Sequence, residues 1–240
     1  IDSNGLASGN HILEAAAAGL YETIERDALT CHLLAEFRTP HRMPRVKLDT
    51  IENPLVRDVL DRLRAAHVTP LLYDCTVDTG VPTYMSYIYD DENRHVGVAG
   101  GAGTHLDPAI AMIRALTESV QTRVVYISGS RDDIFRHDSH QFKAKDSLAW
   151  LERLESVPET ADARDRVSES TSTFQGDVAA VIAKLEAVGL REVYMLDLTQ
   201  EEIGVPVVRI WVPGLEGFAS NLYTAGPRAT AFCRSVSEPC

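Results

Sequence analysis

The stretch SNGLASGNHILEAAAAGLYETIERDA (Ser3–Ala28) passes from small polar residues into a helical pattern that runs to about Arg38, where Pro40 stops it. Asn10 or Ser8 is the expected N-cap. The segment is apolar enough to be buried, yet it carries Glu14, Glu22, Glu25 and Arg26. At about 100° per residue, with Glu14 as zero, Glu25 falls near 20°, Glu22 near 80° and Arg26 near 120°. These four groups share roughly a third of the circumference. The run "AAAAG" before Leu20 is small enough for another backbone or a ligand to approach closely.

Three acidic groups on one face repel one another. The cost is a few tenths of a kcal/mol when exposed and more when desolvated. A cation removes it. Mg2+ suits such a face, being hard, oxygen-preferring and usually held by one or two carboxylates plus waters and phosphates. Arg26 beside the acids is placed to hold a phosphate bidentately. The Ser/Gly/Asn turn before the helix offers backbone N–H groups. From residue types alone, a solvated polar face explains the stripe equally well.

A second helix repeats the theme. "DPAIAMIRALTESVQTRVVY" (Asp107–Tyr126) has Asp107 as N-cap and Pro108 at its first position. Measured from Glu118, Gln121 lies near −60° and Arg114 near −40°, so the three share a face, while Arg123 lies on another side. The lead-in "GGAGTH" is neither a Walker P-loop nor a GxGxxG fingerprint. It reads either as N–H groups offered to an anion or as a hairpin or bulge that needs glycine.

Working outward, "NPLVRDVLDRLRAAH" (Asn53–His67) is an amphipathic helix. "VTPLLYDCTVD" and "VPTYMSYIYDD" read as paired strands around Thr79–Gly80, followed by the glycine-rich strand "HVGVAGGAGTHL". Residues 128–173 are polar and read as a mobile, loop-rich segment with a short helix near "SLAWLERLES". A helix over Gly176–Val188 and strands in "REVYMLDLT" and "VPVVRIWVPGLEG" follow, and the tail to Cys240 is weakly patterned. The expected fold is α+β, with mixed or antiparallel sheets packed against long helices in a single domain over residues 1–240.

Bulk composition narrows the function. The net charge of −12 disfavours non-specific binding to nucleic acid or anionic membrane. Nothing approaches the roughly 18 apolar residues that span a bilayer. Cys31, Cys75, Cys233 and Cys240 form no CxxC pair, so a reducing cytoplasm is the expected compartment. Cys31 is expected in the core. The eight histidines have no HxxxH or HxH spacing, and His105, just before the second helix, is the best histidine for a pocket. His137 and His140 read as polar loop. Trp150 and Trp211 read as packing residues, and "SGSRDD", with Arg131, Asp132 and Asp133, as a surface loop.

The two carboxylate helices resemble those of the YcaO family. One is introduced by SNG-x-x-x-GN and carries E-x-x-ER; the other carries ALTE-x-x-Q-x-R. "DLT…GVPVVRIWVPGLEG" (Asp197–Gly217) is similar to that family's C-terminal part, so the resemblance spans most of the chain. It implies an ATP site without Walker motifs, in which helix-borne glutamates and a glutamine hold Mg2+ and phosphates. It also implies activation of a peptide backbone amide. A nucleophile attacks the amide carbon, the oxyanion takes a phosphoryl group, and phosphate leaves. A Cys, Ser or Thr nucleophile gives an azoline; an external sulfur donor gives a thioamide.

Carried over by position, Asn10 and Glu14 fall on the nucleotide side, with Glu14 also among the metal-side acids. Glu22 and Glu25 match the Mg2+-binding pair, and Arg26 the phosphate-contacting arginine. Glu118 is a further metal-side acid, and Gln121 and Arg123 belong to the cofactor side of the second helix. The family often has Ser where this chain has Ala7; the serine here is Ser8. Its fold also has an N-terminal part with further glutamates. The opening "IDSNG" starts inside the motif, so the chain is expected to be a C-terminal portion of a longer one. Expected partners are a peptide or protein substrate, a substrate-delivery or sulfur-donor protein, and a second copy in a homodimer. A truncated or non-catalytic member that binds a peptide or partner protein is the alternative.

Overall fold

The structure is a computed structural model and describes residues 3–94, 97–129, 145–217 and 223–237. Its spine is α1 (Ile12–Arg38). His11, in extended conformation, is its N-cap: its Nδ1 accepts from the Leu13 N–H at 3.1 Å. The cap is therefore neither Asn10 nor Ser8. Asn10 instead donates its backbone N–H to Glu14 at 2.7 Å, because Glu14 sits where an N3 carboxylate reaches back over the helix start. At the other end the Thr39 N–H and hydroxyl both donate to the Ala35 carbonyl, just before Pro40.

Within "SNGLASGN", Leu6–Ser8 forms β1 rather than a pure turn, and it pairs antiparallel with β8 (Val207–Trp211). β7 (Tyr194–Asp197) pairs with the other side of β8. This three-stranded sheet, ordered β1–β8–β7, packs through Val208 and Ile210 onto Leu20 and Ile24 of α1. Val181 and Leu185 of α5 (Phe174–Ala187) complete that core.

The second sheet holds β2 (Arg45–Val46), β3 (Val68–Asp74), β4 (Thr83–Asp90), β5 (Ala99–Thr104) and β6 (Glu159–Ala161) in the order β5–β4–β3–β2–β6. It is antiparallel except for the parallel pair β2–β6. One face packs on α2 (Pro54–Ala65) and α3 (Pro108–Ser128) through Leu60, Leu72, Ile88, Met112 and Leu116. The other meets Leu29 of α1 and Leu151 and Leu154 of α4 (Lys145–Glu155). The architecture is thus α+β, with mixed and antiparallel sheets on long helices. Within residues 128–173, α4 is the short helix expected near "SLAWLERLES" and β6 is a strand that was not expected, while Arg131–Asp133, His137 and His140 lie outside the described residues.

The glycines of β5 are explained by the approach of α3. A Cβ on Gly101 would stand 2.2 Å from the Ser119 nitrogen, and one on Gly103 2.1 Å from the Ala111 carbonyl oxygen. They serve neither a hairpin nor a bulge; they let the helix backbone lie directly on the strand.

The weakly patterned tail contains α6 (Pro227–Ser235). Its first N–H groups are capped by Glu216, which accepts from Gly226 N–H at 2.9 Å and Ala229 N–H at 2.8 Å. Arg228 of α6 forks onto the fully buried Asp27 of α1 at 3.0 and 2.9 Å, and reaches Asp78 at 2.6 Å. Cys31 is in the core, against Ala229. Trp150 packs edge-on against Tyr87, and Trp211, though exposed, stacks on Tyr194.

Candidate functional site

α1 and α3 lie on opposite faces of the sheet at β5, its edge strand, and their polar side chains line one cavity past that edge. The space between them is a cavity of about 450 Å3. Glu22, Glu25 and Arg26 enter from α1; Arg114, Thr117, Glu118 and Gln121 enter from α3; Ala7, Ala18 and Ala102 supply small walls. The helical spacing of each face is what brings these side chains together: positions three and four apart lie one above the other.

Glu25 is only 4% exposed. Burial pushes its carboxyl up to about 7, Glu118 and Glu22 push the same way, and Arg26 opposes them. The Arg26 guanidinium stands 3.9 Å from the Glu25 carboxylate, at the outer limit of an ion pair. Glu118 is held by the backbone: its Oε2 accepts from the Ala102 N–H of β5 at 2.9 Å. The strand does offer an N–H to an anion, and that anion is the protein's own carboxylate. Arg114, Thr117 and Gln121 are exposed at the rim.

Three of the expected site residues lie elsewhere. Asn10 and Glu14 pair with each other at the N-terminus of α1, through 2.7 and 3.2 Å contacts. Glu14 is eight residues before Glu22, about 12 Å along the helix axis. Arg123 donates to Asp90 at the end of β4, at 2.8 Å, and does not line the cavity. It is five residues past Glu118, about 140° around the helix. Arg114 stands on the cavity face instead, and its signal was its angular proximity to Glu118. His105 is also outside: its ring packs on Tyr21 at 4.7 Å and its Nδ1 accepts from the Asp107 N–H.

Among the described residues no three His, Cys, Asp or Glu side chains converge tightly enough to hold a bare ion by themselves. The arrangement suits a divalent ion that brings its own oxygens, where one or two carboxylates suffice. A larger cavity of about 560 Å3 lies by β7 and β8, but its lining is mainly apolar and holds none of the clustered carboxylates. Among the described residues no helix is long and apolar enough to cross a membrane.

Residues 1–216 match the family model described as YcaO cyclodehydratase, ATP- and Mg2+-binding. An uncharacterized protein of Methanothermobacter thermautotrophicus is 40% identical over 235 residues, covering 95% of this chain and 59% of that one. An uncharacterized protein in the tfuA 3′ region of Rhizobium leguminosarum bv. trifolii is 33% identical over 249 residues, covering 98% and 58%. The chain therefore spans about three-fifths of the length of these curated relatives. A solved heterocyclase in complex with substrate and cofactor superposes with a TM-score of 0.77 at 27% identity, covering 93% of this chain and 29% of that one. The YcaO from Methanopyrus kandleri, bound with AMPPCP and Mg2+, gives 0.71 at 23% identity over 90% of this chain and 56% of that one, a likeness of fold.

Proposed function

The chain belongs to the YcaO family, and we propose that the protein uses ATP and Mg2+ to activate a peptide backbone amide, yielding an azoline or a thioamide. The observation that carries this reading is the convergence of Glu22, Glu25 and Arg26 with Arg114, Glu118 and Gln121 on one cavity. The family description and the 27% identical heterocyclase support it.

The donor set fits the group. Three carboxylates and an amide are hard oxygen donors, and two guanidiniums stand beside them. Glu25, buried near two other acids, gains most from a cation. When bound, ATP supplies the phosphoryl group that makes the amide oxygen a leaving group. Such a transfer asks the protein for positioning and charge neutralisation rather than a nucleophile. In this reading Glu22, Glu25 and Glu118 hold the cation, while Arg26 and Arg114 hold phosphate oxygens. Gln121 lends its amide at the rim. Asn10 and Glu14 serve the nucleotide end, and Arg123 is left to its pair with Asp90.

The same reading takes residues 1–240 as one cytoplasmic YcaO-like domain that meets a peptide or protein substrate. A substrate-delivery or sulfur-donor protein and a second copy are its further partners. The test is Glu22→Gln with Glu25→Gln in the full-length protein. The double variant is expected to unfold at a temperature near that of the parent and to lose Mg2+-dependent, peptide-stimulated ATP turnover at least a thousandfold. Full ATPase activity in that variant overturns the assignment. A parent protein that gives neither heat nor thermal shift with Mg–ATP favours a non-catalytic, peptide-binding member.

A further inference from the structure

The carboxylate cavity adjoins a second hollow of about 300 Å3, and the two share Arg26, Ala102 and Glu118. Beyond that shared wall the chemistry changes. Leu29 and Leu33 continue the stripe of α1 that carries Glu22 and Arg26, at spacings of three and four residues. Met43 from the connection before β2, Met85 and Tyr87 from β4 and Trp150 from α4 close the hollow. Among the described residues its only charges are those at the shared wall, Arg26 and Glu118.

Three observations say what such a hollow takes. The first is order along α1. Glu22, Glu25 and Arg26 of the carboxylate cavity come first along the helix; Leu29 and Leu33 of the hollow follow Arg26. Read along the rod, the apolar hollow lies past the residues proposed to hold phosphate.

The second is the backbone of β5, which ends its sheet. The Ala102 N–H points away from β4, onto Glu118. Antiparallel ladders alternate, so the N–H and C=O of Gly100 leave β4 on the same side, and Gly100 lines the hollow. An extended peptide finds there a donor and an acceptor in strand geometry. The third is the lining itself: two flexible thioethers and two aromatic rings accept an apolar side chain of varied shape. The size is at the low end for ligand pockets, small for a whole nucleotide.

We propose that this hollow is the acceptor-peptide subsite. An extended segment lies along the edge of β5, pairs with Gly100, and sets an apolar side chain between Leu33, Met85 and Trp150. The neighbouring amide then meets Arg26 and Glu118. This inference rests on the amide-activating reading of the adjoining cavity.

The experiment uses the full-length protein and a capped tetrapeptide carrying p-benzoylphenylalanine next to cysteine. Irradiated benzophenone inserts preferentially at methionine, so digestion and mass spectrometry should place the crosslink on Met85 or Met43. Yield should be undiminished by saturating Mg–AMPPCP and at least tenfold lower in Leu33→Glu and in Trp150→Ala. Calorimetry on the same variants should give Mg–ATP affinity within twofold of the parent. A crosslink erased by the nucleotide makes the hollow a base pocket and overturns the proposal, as does insertion elsewhere or a yield untouched by both variants. Normal Mg–ATP binding with no crosslink in the hollow sinks the subsite alone. A crosslink in the hollow of a protein that binds no Mg–ATP keeps the subsite and sinks the amide-activating reading.

Discussion

At the residue scale the decisive group is Glu25. Its carboxyl, pushed up to about 7 chiefly by burial, holds a proton in the fold that the unfolded chain releases near its ordinary carboxylate range. The stability this proton lends is complete below that ordinary range. It drains away as pH climbs and is gone above about 7. A cation in the cavity competes with the same proton. Mg–nucleotide affinity should therefore rise about tenfold per pH unit below 7 and level off above it. Titrations in buffers of different ionisation heat should show about one proton released at pH 6 and almost none at pH 8, and Glu25→Gln should flatten the profile. A flat profile in the parent would remove Glu25 from the metal's surroundings. Angular spacing alone made Glu22, Glu25 and Arg26 legible as one face in the sequence. It failed for Glu14 because a helical wheel discards the axial dimension, and about 12 Å separates Glu14 from Glu22. The wheel also placed Arg123 off the face of Glu118 and Arg114 on it. The family resemblance drew Arg123 in, and the structure follows the wheel.

At the element scale the site depends on how closely α3 lies on β5. Glu118 takes its position from the Ala102 N–H, and that contact exists because Gly101 and Gly103 carry no side chain. Gly103→Ala would put a methyl 2.1 Å from the Ala111 carbonyl oxygen, which is backbone and cannot swing aside. The expected cost is about 1–3 kcal/mol, as for other overpacked positions. The variant should melt at a lower temperature and bind Mg–nucleotide more weakly, because Glu118 moves off with its helix. An unchanged melting temperature would mean that α3 sits farther from β5. The glycine run announced special geometry in the sequence, but not which kind, since a bulge, an anion nest and a close helix all ask for glycine. The helix that starts at Asp107–Pro108 was legible from that cap, and the one that starts at Asn53–Pro54 from its amphipathic pattern. α6 was not, because the carboxylate that caps it is Glu216, ten residues before the Gly226 N–H it accepts from. β2 and β6 are two and three residues long and pair across more than a hundred positions, too short and too distant for periodicity to reveal.

At the scale of the whole molecule α1 is the shared member. Its first half packs on the three-stranded sheet, its second half on the five-stranded one, and α6 lies along it. This explains why a helix so rich in charge is buried over much of its surface, and why Glu22 and Glu25 face a gap between the layers. The clasp that holds α6 against α1 is Arg228 on Asp27, whose side chain has no exposure at all. Asp27 directly follows Glu25 and Arg26, so the clasp braces the cavity residues from behind. Burial raises the Asp27 carboxyl while Arg228 opposes it. Removing the guanidinium leaves an uncompensated buried acid, a loss of about 3–5 kcal/mol for broken buried pairs. Arg228→Ala should show that loss at pH 8, where Asp27 must either stay charged in the core or take up a proton that is scarce. The loss should shrink toward pH 5, where the proton is cheaper to hold. Arg228→Ala combined with Asp27→Asn should recover part of the stability, because the orphaned charge is gone. Denaturant unfolding at the two pH values measures all three. A cost in Arg228→Ala that is equal at pH 5 and pH 8 and untouched by Asp27→Asn would mean that α6 is held by its apolar contacts at Ala229 and Phe232, and that the ion pair is incidental.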